Sequence, residues 1–185
     1  MGLSDPPVPR PVILISGCLL GLRCTWRGQA AGAWSQRFQS LIRAAREGGP
    51  VFIPACPEQL GGLPTPRPPA ELMTSASRVL DGNGLVLNGK GEDVTAAYRR
   101  GAAEAVHLAR VAGARLAVLK ERSPSCGARA VHAGLFNGAL AGGRGVAAEA
   151  LHREGFIVLD EEEFLRLWRA TPNWSGLDNP LPFLS

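Results

Sequence analysis

The chain has 185 residues and a mass of 19.5 kDa, enough for one domain that buries roughly two-thirds of its unfolded surface. Hydrophobic residues make up 45% of it, yet no apolar run approaches the ~18 residues of a transmembrane helix, which excludes an integral membrane protein. The net charge of +4 comes from dispersed basic residues, which argues against a nucleic-acid-binding surface. Since residues 1–10 contain no basic segment followed by an apolar one, we expect a cytoplasmic protein.

Apolar, β-branched runs alternate with amphipathic segments along the chain. Residues 1–10 are rich in proline and predict a flexible arm before the first strand. The four runs that predict strands of a mostly parallel sheet are PVILISGC, VFIPAC, ARLAVLK and FIVLD. The segments between these strands predict four helices. The first passes through Phe38–Ala45, and the second has an apolar face over Val94–Ala109. The third begins at Val146, and the fourth covers EEEFLRLWRA with Asp160 as its N-cap.

The segment between the second and third strands has a different character. Residues 57–69 carry five prolines and two adjacent glycines, which predicts irregular structure. The following SASRVLDGNGLVLNG predicts two short strands around Asp81–Gly84. The element order predicts an α/β fold, a three-layer Rossmann-like sandwich with a mostly parallel sheet and a small β-hairpin insert. We expect one α/β domain over residues 11–170 and an irregular tail at 171–185.

Three of the four cysteines lie at, or a few residues past, the carboxyl ends of predicted strands. These are Cys18, Cys56 and Cys126. Parallel strands deliver their carboxyl ends to one edge of a sheet, so we expect the three thiols to meet in one crevice. The chain has no Cys-x-x-Cys pair, which excludes a zinc ribbon and a thioredoxin-like site. The pattern predicts a shared metal or cluster site, with a metal-free reactive thiol site as the alternative.

Soft thiolates without a companion histidine motif favour an iron–sulfur cluster over zinc. Three ligands for four irons would leave one iron open as a Lewis acid for a small anion or a substrate sulfur. Cys24 lies six residues after Cys18 and offers a possible fourth ligand. A fully ligated cluster would be structural or electron-transferring, and a zinc-stapled binding module using all four cysteines is a further alternative.

Four segments resemble the thiouracil desulfidase family, in order and over most of the chain from about Val12 to about Glu163. They are SGCLLG, PACPEQLGGLPTPRPPAE, GEDVTAAYRRGA and VLKERSPSCG. The resemblance implies a 4Fe-4S cluster held by Cys18, Cys56 and Cys126, while the position of Cys24 is often not cysteine in the family. It also implies an enzyme, a desulfidase that converts thiouracil and water into uracil and hydrogen sulfide without a redox step.

Candidate catalytic residues flank the predicted cluster ligands. Glu58 is our candidate base or proton shuttle, and Ser123 our candidate for a hydrogen bond to substrate or water. Arg67 either binds a substrate carbonyl or braces the proline-rich loop. The competing interpretations are a surface ion pair between Glu58 and Arg67, and a turn-forming role for Ser123. His132 follows the third cysteine loop, and its two alternatives are an approach to the site and placement at the surface, of which surface placement is expected.

The chain departs from the family pattern after its second cysteine. The family usually shows an Arg-Tyr-Asp-Gly type of run where this chain has Thr25-Trp26-Arg27-Gly28. If these residues frame the substrate, the preferred thiolated compound differs. The expected partner is a small thiolated nucleobase, not a nucleic acid or a membrane. The functional alternative is a non-catalytic carrier of an iron–sulfur cluster or a persulfide in sulfur trafficking.

Overall fold

The computed structural model describes residues 10–170; the rest of the predicted arm and the predicted tail at 171–185 lie outside the described residues. The strands in this range are β1 (Val12–Ser16), β2 (Val51–Ala55), β3 (Ala70–Leu72), β4 (Val86–Asn88), β5 (Leu116–Leu119), β6 (Ala130–His132), β7 (Leu140–Gly142) and β8 (Ile157–Asp160). The helices are α1 (Ala33–Arg37), α2 (Gln39–Arg46), α3 (Pro57–Leu60), α4 (Ala76–Leu80), α5 (Thr95–Val111), α6 (Val146–Arg153) and α7 (Glu161–Ala170), with a 3₁₀ helix at Gly17–Leu20.

The four predicted parallel strands form one sheet in the order β2-β1-β5-β8, and every neighbouring pair is parallel. Helices cover both faces, so the predicted three-layer α/β fold with a Rossmann-like architecture is confirmed. Among residues 10–170, no helix has the length and apolar character that crossing a membrane requires.

Alternating side chains of the central strands divide the core into two layers. Ile13 and Ile15 pack on one face with Phe38 of the α1–α2 junction and Phe164 of α7, whose rings stack 6.0 Å apart. Leu14, on the opposite face, belongs to the cluster formed with α5 and α6. Because both faces of the sheet are buried, its strands are continuously apolar, and these apolar runs predicted the strands from the sequence.

The N-terminus of α7 confirms the predicted cap. Asp160 Oδ1 accepts hydrogen bonds from the backbone N–H groups of Glu162 at 2.8 Å and Glu163 at 2.9 Å. These bonds satisfy two donors that have no partner within the helix. The cap therefore ends β8 and starts α7 without a connecting loop.

Two expectations for the insert were wrong. Pro57 begins the one-turn helix α3, since proline is tolerated at the first position of a helix, where its missing N–H bond is not needed. The predicted strand before Asp81 is instead α4, because the Ser75 hydroxyl caps the helix by accepting from Arg78 N, and Val79 is fully buried.

The strand pairing of the antiparallel insert consequently differs from that of the predicted hairpin. β4 pairs with β3 rather than with the segment next to it, and α4 fills the connection. A second antiparallel pair, β6 with β7, lies in the glycine-rich stretch where no strands were predicted. These strands are three residues long, too short for a periodic pattern to reveal.

Candidate active site

A cavity of about 700 Å³ opens at the edge of the sheet where β1, β2 and β5 end. All four cysteines line it, as do Glu58, Arg67 and Ser123, the three other residues singled out from the sequence. The convergence follows from the parallel strand order, since each of these strands delivers its carboxyl end to this edge. The structure thus brings the candidate residues together, while their individual roles remain predictions.

Each of the three strand-end cysteines is held by a different local structure. Cys18 lies in the 3₁₀ helix that directly follows β1, and Cys56 follows β2 in extended conformation at the start of α3. Cys126 lies in the turn after β5, where its backbone N–H donates to Ser123 Oγ at 3.1 Å. The Glu121 carboxylate braces the same segment by accepting from the backbone N–H of Ala128 at 2.7 Å.

The surroundings of Cys24, Cys56 and Cys126 favour the protonated forms of these thiols. A hydrogen bond with Cys18 raises the pKa of Cys24 to about 11, and burial raises the pKa of Cys126 to about 12. The pKa of Cys56 is raised as well, first by its hydrogen bond with Cys24 and then by burial. These thiols therefore hold their protons at neutral pH, and binding of a metal would release them.

The donor set fits an iron–sulfur cluster. All four cysteines are free thiols, and all four line one cavity. Soft thiolates are the usual protein ligands of such clusters. Within residues 10–170, no group of three His, Cys, Asp or Glu side chains is arranged to hold a single metal ion.

Glu58 projects from α3 into a buried polar network. Its Oε2 pairs with Arg67, and its Oε1 accepts a 2.8 Å hydrogen bond from the hydroxyl of Tyr98 on α5. Oε2 also lies 4.0 Å from the Cys56 sulfur. The predicted pairing of Glu58 with Arg67 exists, but it is not at the surface: 14% of the Glu58 side chain and 4% of the Arg67 side chain are exposed.

Arg67 braces the loop that carries it. Its guanidinium donates to the carbonyl oxygen of Pro64 at 3.2 Å, to Thr65 Oγ1 at 3.0 Å and to the carbonyl oxygen of Cys24 at 3.2 Å. Its Nη2 also lies 3.8 Å from the Cys56 sulfur. Arg67 thus ties together the segments that hold Cys24, Cys56 and Glu58. A contact with substrate remains a prediction.

Ser123 forms a turn at the wall of the cavity. Its Oγ accepts from the backbone N–H groups of Ser125 at 3.2 Å and Cys126 at 3.1 Å, which makes it a turn-forming hydroxyl. Its side chain also lines the cavity and hydrogen-bonds the Cys126 thiol. A hydrogen bond from Ser123 to substrate or water stays a prediction.

Sequence reasoning did not assign several residues of the cavity wall to the site, among them Tyr98, Ser16 and His132. Tyr98 was assigned to the apolar face of a helix, Ser16 was treated as a strand residue, and His132 was expected at the surface. The role of Tyr98 was predictable in part, because a buried tyrosine on a helix face otherwise formed by small apolar residues needs a polar partner for its hydroxyl. The departing segment that contains Trp26 and Arg27 also lines the cavity, with the Arg27 guanidinium 4.4 Å from the centre of the Trp26 ring.

Two glycines bring α3 and α5 into backbone contact. A Cβ atom on Gly101 would lie 1.9 Å from the carbonyl oxygen of Pro57, and one on Gly61 would lie 2.0 Å from that of Ala97. Only glycine permits such an approach. The contact places Tyr98 within hydrogen-bonding distance of Glu58.

Gly101→Ala is therefore expected to push α3 away from α5. Overpacking of this kind costs about 1–3 kcal/mol, and each 1 kcal/mol lowers the thermal midpoint by about 2–4 °C at this chain length. Differential scanning calorimetry measures the loss. Gly142→Ala is the matched control, since nothing lies within 4 Å of its added Cβ. Equal thermal midpoints for the two variants would contradict the proposed contact.

Comparisons with known proteins agree with this geometry. The model of the 2-thiouracil desulfurase family matches residues 13–163. The uncharacterized protein YbbK of Bacillus subtilis (strain 168) is 38% identical over 153 residues, which cover 82% of this chain and 97% of YbbK. A solved structure of the [4Fe-4S]-dependent thiouracil desulfidase TudS is similar with a TM-score of 0.73 and 37% identity, covering 88% of this chain and 99% of TudS. The chain therefore belongs to the 2-thiouracil desulfurase family.

Proposed function

We propose that this protein is a desulfidase that removes sulfur from a small thiolated nucleobase such as thiouracil. The reaction consumes one water and yields uracil and hydrogen sulfide, so it needs no oxidant or reductant. The observation that carries the proposal is the convergence of Cys18, Cys56 and Cys126 on the wall of one cavity beside Glu58. Membership of the family, and the likeness to a [4Fe-4S]-dependent thiouracil desulfidase, support it.

The thiols of Cys18, Cys56 and Cys126 would hold a 4Fe-4S cluster. When bound, such a cluster supplies an iron without a protein ligand, a Lewis acid suited to a thiocarbonyl sulfur. Cys24 lies in the same cavity and interacts with the thiols of Cys18 and Cys56. We assign Cys24 no ligand role, because the proposed chemistry needs one iron without a protein ligand.

Glu58 supplies the base. Attack of water on the ring carbon needs a group within hydrogen-bonding reach to accept a proton. A carboxylate offers about four lone-pair sites, and Arg67, Tyr98 and the Cys56 thiol occupy one each, so one site remains for water.

Ser123 orients the substrate or the attacking water. Its oxygen is held by two backbone N–H groups of the turn that also carries Cys126. Its hydroxyl lines the cavity beside the Cys126 thiol, where a nucleobase carbonyl or a water would accept a hydrogen bond from it.

Anaerobic reconstitution followed by turnover tests the proposal. We expect protein incubated with iron and sulfide to bind about four irons per chain, as a 4Fe-4S cluster requires. Adding 2- or 4-thiouracil should then abolish the thiocarbonyl absorbance and release sulfide and uracil in equal amounts. A loaded cluster without uracil formation would point to the carrier alternative, and binding of zinc alone would exclude the cluster.

A further inference from the structure

The Glu58 carboxylate is held on both oxygens by groups from separate parts of the chain. Arg67 of the proline-rich loop pairs with Oε2, and the Tyr98 hydroxyl of α5 donates to Oε1 at 2.8 Å. We propose, on the basis of the function proposed above, that Tyr98 is a positioning residue of the reaction. Its hydroxyl fixes the plane of the Glu58 carboxylate, and with it the direction in which this group accepts a proton from water.

Packing alone does not explain the Tyr98 hydroxyl. Tyr98 is 2% exposed and lies in the cluster that also contains Ala102, Ala105 and Val146. A phenyl ring would fill the same space without bringing a polar group into this cluster. Since burying an unpaired hydroxyl is unfavourable, the hydroxyl has to be matched, and Glu58 is the group that matches it.

The backbone, and not the hydrogen bond, sets the distance between the two residues. Gly61 and Gly101 hold α3 against α5 at backbone contact. In addition, Arg100 donates to the carbonyl oxygen of Gly61 at 3.0 Å. Loss of the Tyr98 hydroxyl therefore leaves the two helices in place and releases Oε1 alone. The carboxylate can then turn about its terminal bond while Arg67 still pairs with Oε2.

Tyr98→Phe in the cluster-loaded protein tests this role by steady-state kinetics with thiouracil. We expect kcat to fall about 10- to 100-fold, the range typical of a misplaced catalytic group, while KM stays within about twofold. Iron content and cluster absorbance should equal those of the wild type. The split between kcat and KM separates positioning of the base from binding of the substrate.

Ala105→Gly is the matched control for stability. Ala105 is buried on the same face of α5 and has no polar side-chain atom. The substitution weakens the helix, since glycine has a low helix propensity, but it leaves the Glu58 network intact. A fall in kcat as large as that of Tyr98→Phe would show that loss of stability explains the effect, and would overturn the proposal.

A double variant asks whether Tyr98 acts through Glu58. If it does, Tyr98→Phe combined with Glu58→Gln should be no slower than Glu58→Gln alone, because the positioned group is already gone. If the two substitutions instead reduce kcat independently, so that their effects multiply in the double variant, the proposal is overturned.

The hydrogen bond itself has a readout that needs no turnover. Tyr98 is the only tyrosine in the chain, so tyrosine labelled with ¹³C at Cζ gives one NMR resonance. We expect Glu58→Gln to shift this resonance in the full-length protein, with or without the cluster. Glu104→Gln, at an exposed position of α5, should not shift it. An unchanged resonance in Glu58→Gln would overturn the proposal.

The outcomes separate this inference from the function on which it rests. A loaded wild-type protein that releases no sulfide from thiouracil overturns the proposed function, and the role of Tyr98 with it. An active wild type whose Tyr98→Phe variant has the same kcat overturns the role of Tyr98 alone.

Discussion

Replacing any one of Cys18, Cys56 and Cys126 by alanine is expected to abolish retention of the cluster. Each thiol lies at the end of a different strand and supplies a separate corner of the proposed cluster. A cluster held at two corners has lost a third of its protein bonds and is open to exchange with solvent. Iron and sulfide analysis after anaerobic reconstitution and gel filtration measures the loss, which should be nearly complete.

Cys24→Ala is the matched control for these variants. It removes a thiol from the same cavity but not from a strand end, and we expect most of the cluster to remain. Loss of the cluster in Cys24→Ala would demand the fully ligated alternative, in which no iron is open to substrate. Normal iron content in any of the other three variants would contradict the assigned ligand set.

Glu58→Gln is expected to keep the cluster and lose turnover. The amide has the shape of the carboxylate but is a poor proton acceptor, and general base catalysis contributes typically about 10²- to 10⁴-fold to a rate. We expect kcat for sulfide release to fall within this range. Quantifying sulfide and uracil under anaerobic conditions, at equal cluster content, measures the effect.

Glu104→Gln controls for the change in net charge, since Glu104 is exposed on α5 and lies outside the cavity wall. Its kcat should equal that of the wild type. Unchanged turnover in Glu58→Gln would remove Glu58 from the mechanism. Loss of iron in Glu58→Gln would instead show that the carboxylate supports the neighbouring Cys56.

The convergence of the cysteines was predictable because it depends on topology rather than on side-chain detail. Four long apolar runs predicted parallel strands, and parallel strands end at one edge of the sheet. Knowing only that Cys18, Cys56 and Cys126 follow such strands was enough to place them together. The same logic placed Glu58 and Ser123, since each lies within three residues of one of these cysteines along the chain.

The insert was predicted less well, because its elements are short and their character depends on local bonds. The turn sequence at Asp81–Gly84 predicted a hairpin, yet the Ser75 cap and the burial of Val79 made the preceding segment helical. Short helices and strands bury few residues, so neighbouring parts of the fold decide their conformation.

The α/β class, the parallel sheet and the edge at which the thiols gather follow from the amino-acid sequence alone, since the continuously apolar strands and the amphipathic helices between them do not depend on details of packing. The environment of Glu58, in contrast, depends on how the chain folds. Its partners Arg67 and Tyr98 lie 9 and 40 residues away along the chain, and the second contact depends on two glycines that let α3 and α5 touch. No periodic pattern encodes such a contact, because it arises where two backbones meet.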